Sequence, residues 1–145
     1  MKRSFLLPLF LLFTLLLSAE TFAMGPIHLI DTRYSKEFIE NCYLEGLKSD
    51  NEGIRTSAAL QLGYLKSTKA VIPLMKMMRD EQSDATRIIA ALSLIRIGDT
   101  QGAYMVGRTA LYNTSEKVRF FAEKFYYAYT HNFIDDVPYY EVYTN

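Results

Sequence analysis

The sequence predicts an all-α fold made of stacked helix pairs, and three observations lead to that prediction. The run from Ile88 to Ile97 is apolar on almost every side, whereas an ordinary surface helix has one apolar stripe. The same residue pattern returns every 32 residues, from Arg55 to Arg87 and again from Arg87 to Arg119. Capping residues divide each interval into two helical segments. A fixed period of this size is typical of a stacked-repeat protein.

Length, composition and charge are those of one globular domain. The chain has 145 residues, of which half are hydrophobic and 22% are charged. Lysine plus arginine and aspartate plus glutamate both total 16, so the charge is balanced. Nucleic-acid-binding proteins usually carry a marked excess of positive charge. We therefore expect no nucleic-acid partner.

Residues 1–23 have the pattern of a signal peptide. Lys2 and Arg3 precede an apolar run at 5–17, and residues 21–23 offer a small-residue cleavage site. The run is shorter than the roughly 20 apolar residues that a membrane-spanning helix needs. We expect cleavage at this site and an exported protein, periplasmic or secreted. Membrane contact would then occur only through the signal segment before cleavage, with a retained anchor as the alternative.

The helices are expected in a regular order after an extended leader at 24–34. Asn51, Ser83 and Ser115 recur at the 32-residue interval, are good N-caps, and each is followed by an acidic residue that suits a helix N-terminus. The predicted helices lie near 36–48, 52–66, 69–80, 84–97, 101–112 and 116–130.

The second helix of each interval is visible in the segment 69–79. Its apolar residues follow the i, i+3, i+4, i+7 spacing of a helix, at Val71, Leu74, Met75 and Met78. Pro73 lies in the opening turn, where its missing N–H costs little. Gly98 and Asp99 mark the end of one helix and the start of the next.

The middle two units resemble short HEAT-like repeats of bacterial proteins and phycobilisome-lyase relatives, whose typical unit reads roughly V-R-x-x-A-A-x-x-L-G-x-I-G-D-x-x-A-V-P-x-L. The matching residues are Arg55, Ala58, Ala59, Leu62, Gly63, Ala70, Val71, Pro73 and Leu74 in one unit, Arg87, Ala90, Ala91, Leu94, Ile97, Gly98 and Asp99 in the next, and Val118, Arg119 and Ala122 in the third. The resemblance covers 35–130 and implies a HEAT-like repeat domain, a right-handed α-solenoid of about three stacked helix pairs. Where the family often has an aspartate six residues before the arginine, this chain has Ser49, Glu81 and Asn113, so a regular Asp–Arg ladder is not expected.

Three features near the ends of the repeat domain have alternative interpretations. Cys42 lies in the apolar stripe of the first helix and is expected to be a small buried hydrophobic residue; a disulfide between chains is the alternative. Six of the eleven tyrosines fall between residues 126 and 143, and the tail at 131–145 does not continue the helical pattern. We expect this aromatic cluster to cap the last repeat, with a partner-binding surface as the alternative.

Glu123 replaces Ala59 and Ala91 at the 32-residue interval and is expected to be exposed, because no further repeat covers it.

No sequence motif indicates an enzyme. The chain lacks G-x-S-x-G, a phosphate-binding loop, a dinucleotide fingerprint and H-E-x-x-H. His131 lies near Asp135 and Asp136, but one histidine beside two acids is a common tail composition. We therefore expect no catalytic residues, no cofactor and no metal.

The remaining candidate is a protein-binding surface. In the family that the sequence resembles, the second helix of each pair lines the concave face, and the outward rows there would be Glu40, Ile72, Tyr104; Leu44, Lys76, Arg108; and Leu47, Arg79, Leu111. From these rows we select Ile72, Lys76, Arg79, Tyr104 and Arg108 as partner-binding residues for an acidic or amphipathic protein or peptide. The expected function is an exported, non-catalytic interaction module or scaffold. The alternatives are an accessory subunit or lyase-like enzyme, implied only by the phycobilisome-lyase kinship, and a structural part of an envelope assembly.

Overall fold

The structure, a computed structural model, describes residues 34–133, and all regular secondary structure there is helical. The helices are α1 (Lys36–Gly46), α2 (Glu52–Tyr64), α3 (Val71–Asp80), α4 (Asp84–Ile97), α5 (Thr100–Tyr112) and α6 (Glu116–Thr130), with a 3-10 turn at Thr68–Ala70 leading into α3. The prediction of an all-α fold with six helices is therefore confirmed. The predicted signal peptide, the leader up to residue 33 and the tail beyond residue 133 lie outside the described residues. Within the described part, no helix is long and apolar enough to cross a membrane.

The even-numbered and odd-numbered helices contact one another in separate rows. In the even row α2 contacts α4, and α4 contacts α6; in the odd row α3 contacts α5. Helices that follow one another in the chain also pack together, as α1 with α2, α3 with α4 and α5 with α6. Because α4 touches α2, α3, α5 and α6, it is covered on nearly all sides, which explains its continuous apolar run.

Even the two polar residues in the middle of α4 are buried. Ser93 lies where α4 approaches Gly63 of α2 so closely that a Cβ atom on the glycine would stand 2.8 Å from the Ser93 Cα. Arg96 is 5% exposed, and its guanidinium lies 4.3 Å from the centre of the Tyr64 ring. The aromatic face offers the buried charge a favourable contact.

The predicted N-caps and the boundary between α4 and α5 are confirmed by their capping geometry, whereas α1 and α2 end two residues earlier than predicted and α3 begins two residues later. The side chains of Asn51, Ser83 and Ser115 accept hydrogen bonds from backbone N–H groups in the first turns of α2, α4 and α6. Gly98 ends α4 at φ 78°, in the left-handed region that glycine adopts without strain. Asp99 then caps α5 by accepting from two backbone N–H groups.

Two of the recurring arginines, Arg55 and Arg119, hold the loops that precede their helices through backbone carbonyls. The third, Arg87, donates instead to the Met78 carbonyl of α3 and to Asp84 of its own helix, both at 3.2 Å. Arg55 donates from Nη1 to the Ser49 carbonyl at 2.9 Å, and Arg119 donates to the Asn113 carbonyl at 2.7 Å. Both carbonyls lie six residues before the arginine, so no aspartate is needed at that position. Arg55 also pairs with Glu81 through two hydrogen bonds of 2.6 and 2.8 Å.

Of the two burial predictions for α1 and α6, the one for Cys42 is wrong and the one for Glu123 is confirmed. Cys42 is exposed, which corrects the expectation that it is buried. Among the described helices α1 packs mainly against α2, and no residue of α1 is buried. Glu123 on α6 is exposed whereas Ala91 on α4 is 1% exposed, as predicted.

The carboxylate of Glu52 makes the stability of the fold depend on pH. A hydrogen bond from the Thr86 hydroxyl at 2.6 Å, and a second from Ser83, hold the pKa of Glu52 below its usual range. A carboxyl group whose pKa is lower in the folded state stabilises the fold above the unfolded pKa, about 4.3 for glutamate, and loses this contribution as the pH falls below that value.

We expect Glu52→Gln to lower the free energy of unfolding at pH 7 and to reduce its decline between pH 5 and pH 3. Urea unfolding at several pH values measures both effects. Glu37→Gln is the matched control, because Glu37 also lies in the first turn of its helix, α1, and is exposed. Equal pH dependence of Glu52→Gln and the unsubstituted protein would contradict this role of Glu52.

Candidate partner-binding surface

The five predicted partner-binding residues lie on α3 and α5, two helices that contact each other. Ile72 is 60% exposed and Tyr104 is 65% exposed, which is unusually high for such apolar side chains. Lys76, Arg79 and Arg108 are exposed as well. The surface is therefore accessible, with apolar and basic groups on the same pair of helices.

Lys76 lines a groove of about 560 Å³ between α1 and α3. The apolar part of the groove is formed by Leu44, Leu47, Pro73 and Met77. The groove therefore offers apolar contact area beside basic side chains.

The two acidic residues that line the groove, Asp80 and Glu81, are already paired. Arg79 donates to both oxygens of Asp80, at 2.6 and 3.1 Å, and these hydrogen bonds lower the pKa of Asp80 and raise that of Arg79. Glu81 is paired with Arg55 in the same bidentate manner. Arg79 is therefore held by its neighbour, and its charge is largely offset.

Lys48 and Lys76 are the basic residues of the groove, and they differ in their partners. Lys48 pairs with Glu45 at 2.7 Å. Lys76 makes no ion pair with any residue that the structure describes. Its charge acts on Asp80 only from beyond ion-pair distance, where it helps to lower the pKa of that carboxyl.

Arg108 lies in a separate, smaller depression of about 230 Å³, with Met105, Thr109, Tyr112 and Asn113. Its guanidinium lies 5.8 Å from the centre of the Tyr112 ring, and that ring is 73% exposed. The sequence analysis missed Tyr112 as a surface residue. The available signal was its spacing of four residues from Arg108, which places both side chains on one side of α5.

The α1 members of the predicted rows are not freely exposed, which corrects that part of the sequence analysis. The Glu40 carboxylate accepts from the Ser67 hydroxyl at 2.6 Å and pairs with Lys69 at 2.9 Å, and both interactions lower its pKa. Leu44 and Leu47 are partly buried against the core. The predicted surface residues on α3 and α5 are therefore accessible, whereas those on α1 are held in local contacts.

No group of three or more histidine, cysteine, aspartate or glutamate side chains is placed to hold a metal among residues 34–133. Asp135 and Asp136 lie outside this range. Comparison of the chain with family models, curated proteins and solved structures finds no significant match in any of the three.

Proposed function

We propose that the protein is an exported, non-catalytic interaction module, a right-handed HEAT-like α-solenoid that binds an acidic or amphipathic protein segment on its α3–α5 surface. The solenoid is supported by the 32-residue period and by the contacts of α4 with both α2 and α6. Export is supported by the signal-peptide pattern at residues 1–23.

The observation that carries the binding surface is the pairing of exposed apolar groups with cations that lack ionic partners. Ile72 and Tyr104 are exposed beside Lys76 and Arg108, neither of which makes an ion pair with a described residue. Aromatic anchors commonly dominate the contact energy of an interface, while rim charges set its encounter rate and salt dependence. This combination favours a partner with acidic and apolar side chains.

The test is co-purification of partners from one envelope extract by the unsubstituted protein and by variants. We expect Lys76→Glu with Arg108→Glu to leave the fold intact and to weaken partner capture, most visibly at low ionic strength, because salt screens exposed charges. Tyr104→Ala should weaken capture at every salt concentration, because it removes apolar contact area.

Lys36→Glu on α1 is the charge control for a single Lys76→Glu variant, since Lys36 is exposed and does not line the groove. It should bind partners like the unsubstituted protein. Equal recovery of partners by all folded variants, checked by thermal melts, would remove the binding site from this surface.

A further inference from the structure

The even-numbered helices meet according to a simple register. The Thr56 and Thr86 hydroxyls of α2 and α4 are 3.1 Å apart, and Gly63 meets Ser93 in the same pair of helices. A residue of α2 therefore meets the residue thirty positions later in α4, and the two helices run parallel. At the helix starts the offset is thirty-one, as in the contact of Asp84 with Ser115 of α6.

At the start of each even helix an acidic side chain meets the capping serine of the next one. Asp84 accepts a hydrogen bond from the Ser115 hydroxyl at 2.6 Å, and at the corresponding place in α2 Ser83 helps to lower the pKa of the Glu52 carboxyl. Each serine also accepts the capping bond of its own helix, so it uses both hydrogen-bonding functions at the junction.

The same register identifies two faces, on α6 and on α2, that no described even-numbered helix covers. Local contacts remain on both: the centres of the Tyr127 and His131 rings are 3.9 Å apart, and α1 lies beside Ile54. Glu52, Thr56 and Gly63 of α2 contact α4, and the corresponding positions of α6 are Glu116, Phe120 and Tyr127; Glu123 lies in the turn between the last two, and all four are exposed. Thr86 and Ser93 of α4 contact α2, and the corresponding positions of α2 are Ile54 and Gln61; with Asn51 and Ser57 they form an exposed face.

The two faces are chemically complementary when the register is continued from α6 to the α2 of another molecule. The resulting pairs are Glu116 with Asn51, Phe120 with Ile54, Glu123 with Ser57, and Tyr127 with Gln61. One pair is apolar, and the other three join groups that can donate and accept hydrogen bonds. The side-chain oxygen of Asn51 caps α2, which leaves its amide N–H groups for the Glu116 carboxylate.

The apolar pair has space to pack. Phe120 is 48% exposed and Ile54 is 52% exposed. Ile54 borders a depression of about 560 Å³ that is also lined by Cys42, Tyr43, Gly46, Gly53 and Ala58. Such a depression of mostly small residues accommodates an aromatic ring. In the same arrangement Glu123 would face the hydroxyl of Ser57 in the second copy and not a buried apolar side chain.

We propose that the protein associates with itself head to tail, with the α6 face of one molecule seated on the α2 face of a second copy. Because the two faces differ, the contact is heterologous, and repeated use of it extends into open chains unless the geometry closes a ring. The proposal does not depend on the α3–α5 binding surface.

The test is the mass of the purified protein by light scattering over a wide concentration range, for the unsubstituted chain, Ile54→Lys and Phe120→Lys. We expect the mass of the unsubstituted protein to rise with concentration beyond that of a dimer. Each variant alone should remain monomeric, because each loses one of the two faces. An equal mixture should form a dimer and nothing larger, since one intact face remains on each variant.

Leu111→Lys is the control, because Leu111 is an exposed apolar residue of α5 that belongs to neither face; it should associate like the unsubstituted protein. Thermal melts show that each variant is folded. A monomer at all concentrations would overturn the proposal. The same result is expected if other residues of the same chain cover the α2 or α6 face. A mixture that stays monomeric, or a dimer of the unsubstituted protein that never grows, would also overturn it.

Discussion

Ala90→Arg is expected to destabilise the fold by roughly 3 kcal/mol or more, because it overpacks a close helix junction and buries a charge. Ala90 is fully buried in the core, on the helix that contacts both of its even-row neighbours. Since the whole stability of a domain is about 5–15 kcal/mol, this loss is a large part of it. Urea unfolding followed by circular dichroism measures the effect.

Gln101→Arg is the matched control for this prediction. It introduces the same side chain on α5 at an exposed position, where substitutions usually change the free energy of unfolding by less than about 0.5 kcal/mol. An unchanged unfolding midpoint for Ala90→Arg would show that Ala90 does not lie in a close junction.

Gly63→Ala is expected to lower stability by about 1–3 kcal/mol, the usual cost of overpacking a core. A Cβ atom at this position would stand 2.8 Å from the Ser93 Cα and 2.9 Å from its Cβ. These are backbone-linked atoms that cannot rotate away, so α2 and α4 must move apart. The midpoint of the thermal melt should fall by about 4–8 °C for each kcal/mol lost.

Gly107→Ala makes the same change on α5 and separates the steric effect from helix propensity. Its added Cβ would meet only ring atoms of Tyr126, at 3.1–3.3 Å, and that exposed side chain can shift. Alanine is the better helix former by up to about 1 kcal/mol, so this variant should be neutral or slightly more stable. A Gly63→Ala variant that melts no lower than Gly107→Ala would exclude the close approach of α2 and α4.

The helices and the core were predictable because both follow from local pattern and period. The N-caps Asn51, Ser83 and Ser115 place the starts of three helices, and the all-round apolar character of α4 predicts that neighbours cover it on several sides. The exposure of Glu123 was predictable from the same period: Glu123 takes the place of buried Ala91 in α6, the last described helix of the even row.

The candidate surface was less predictable, because a pattern within one helix does not reveal what covers it. The apolar stripe of α1 predicted a buried Cys42, but among the described helices α1 packs mainly against α2, and the thiol is exposed. The pairing of Arg79 with Asp80 depends on rotamers, and that of Glu40 with Ser67 on a contact between separate elements. The sequence contains these residues but not their partners.

The contrast between α1 and α4 has a consequence for how the molecule opens. Ten residues of α4 are buried and none of α1 is. Local unfolding requires only as much free energy as the contacts that it breaks, so a helix with few buried contacts opens far more often than the whole domain does. Backbone amides of α1 should then exchange with solvent hydrogen through frequent local fraying, while those of α4 exchange only when the entire fold is lost. The free energy needed for local opening is thus expected to fall from α4, at the centre of the helices, to α1.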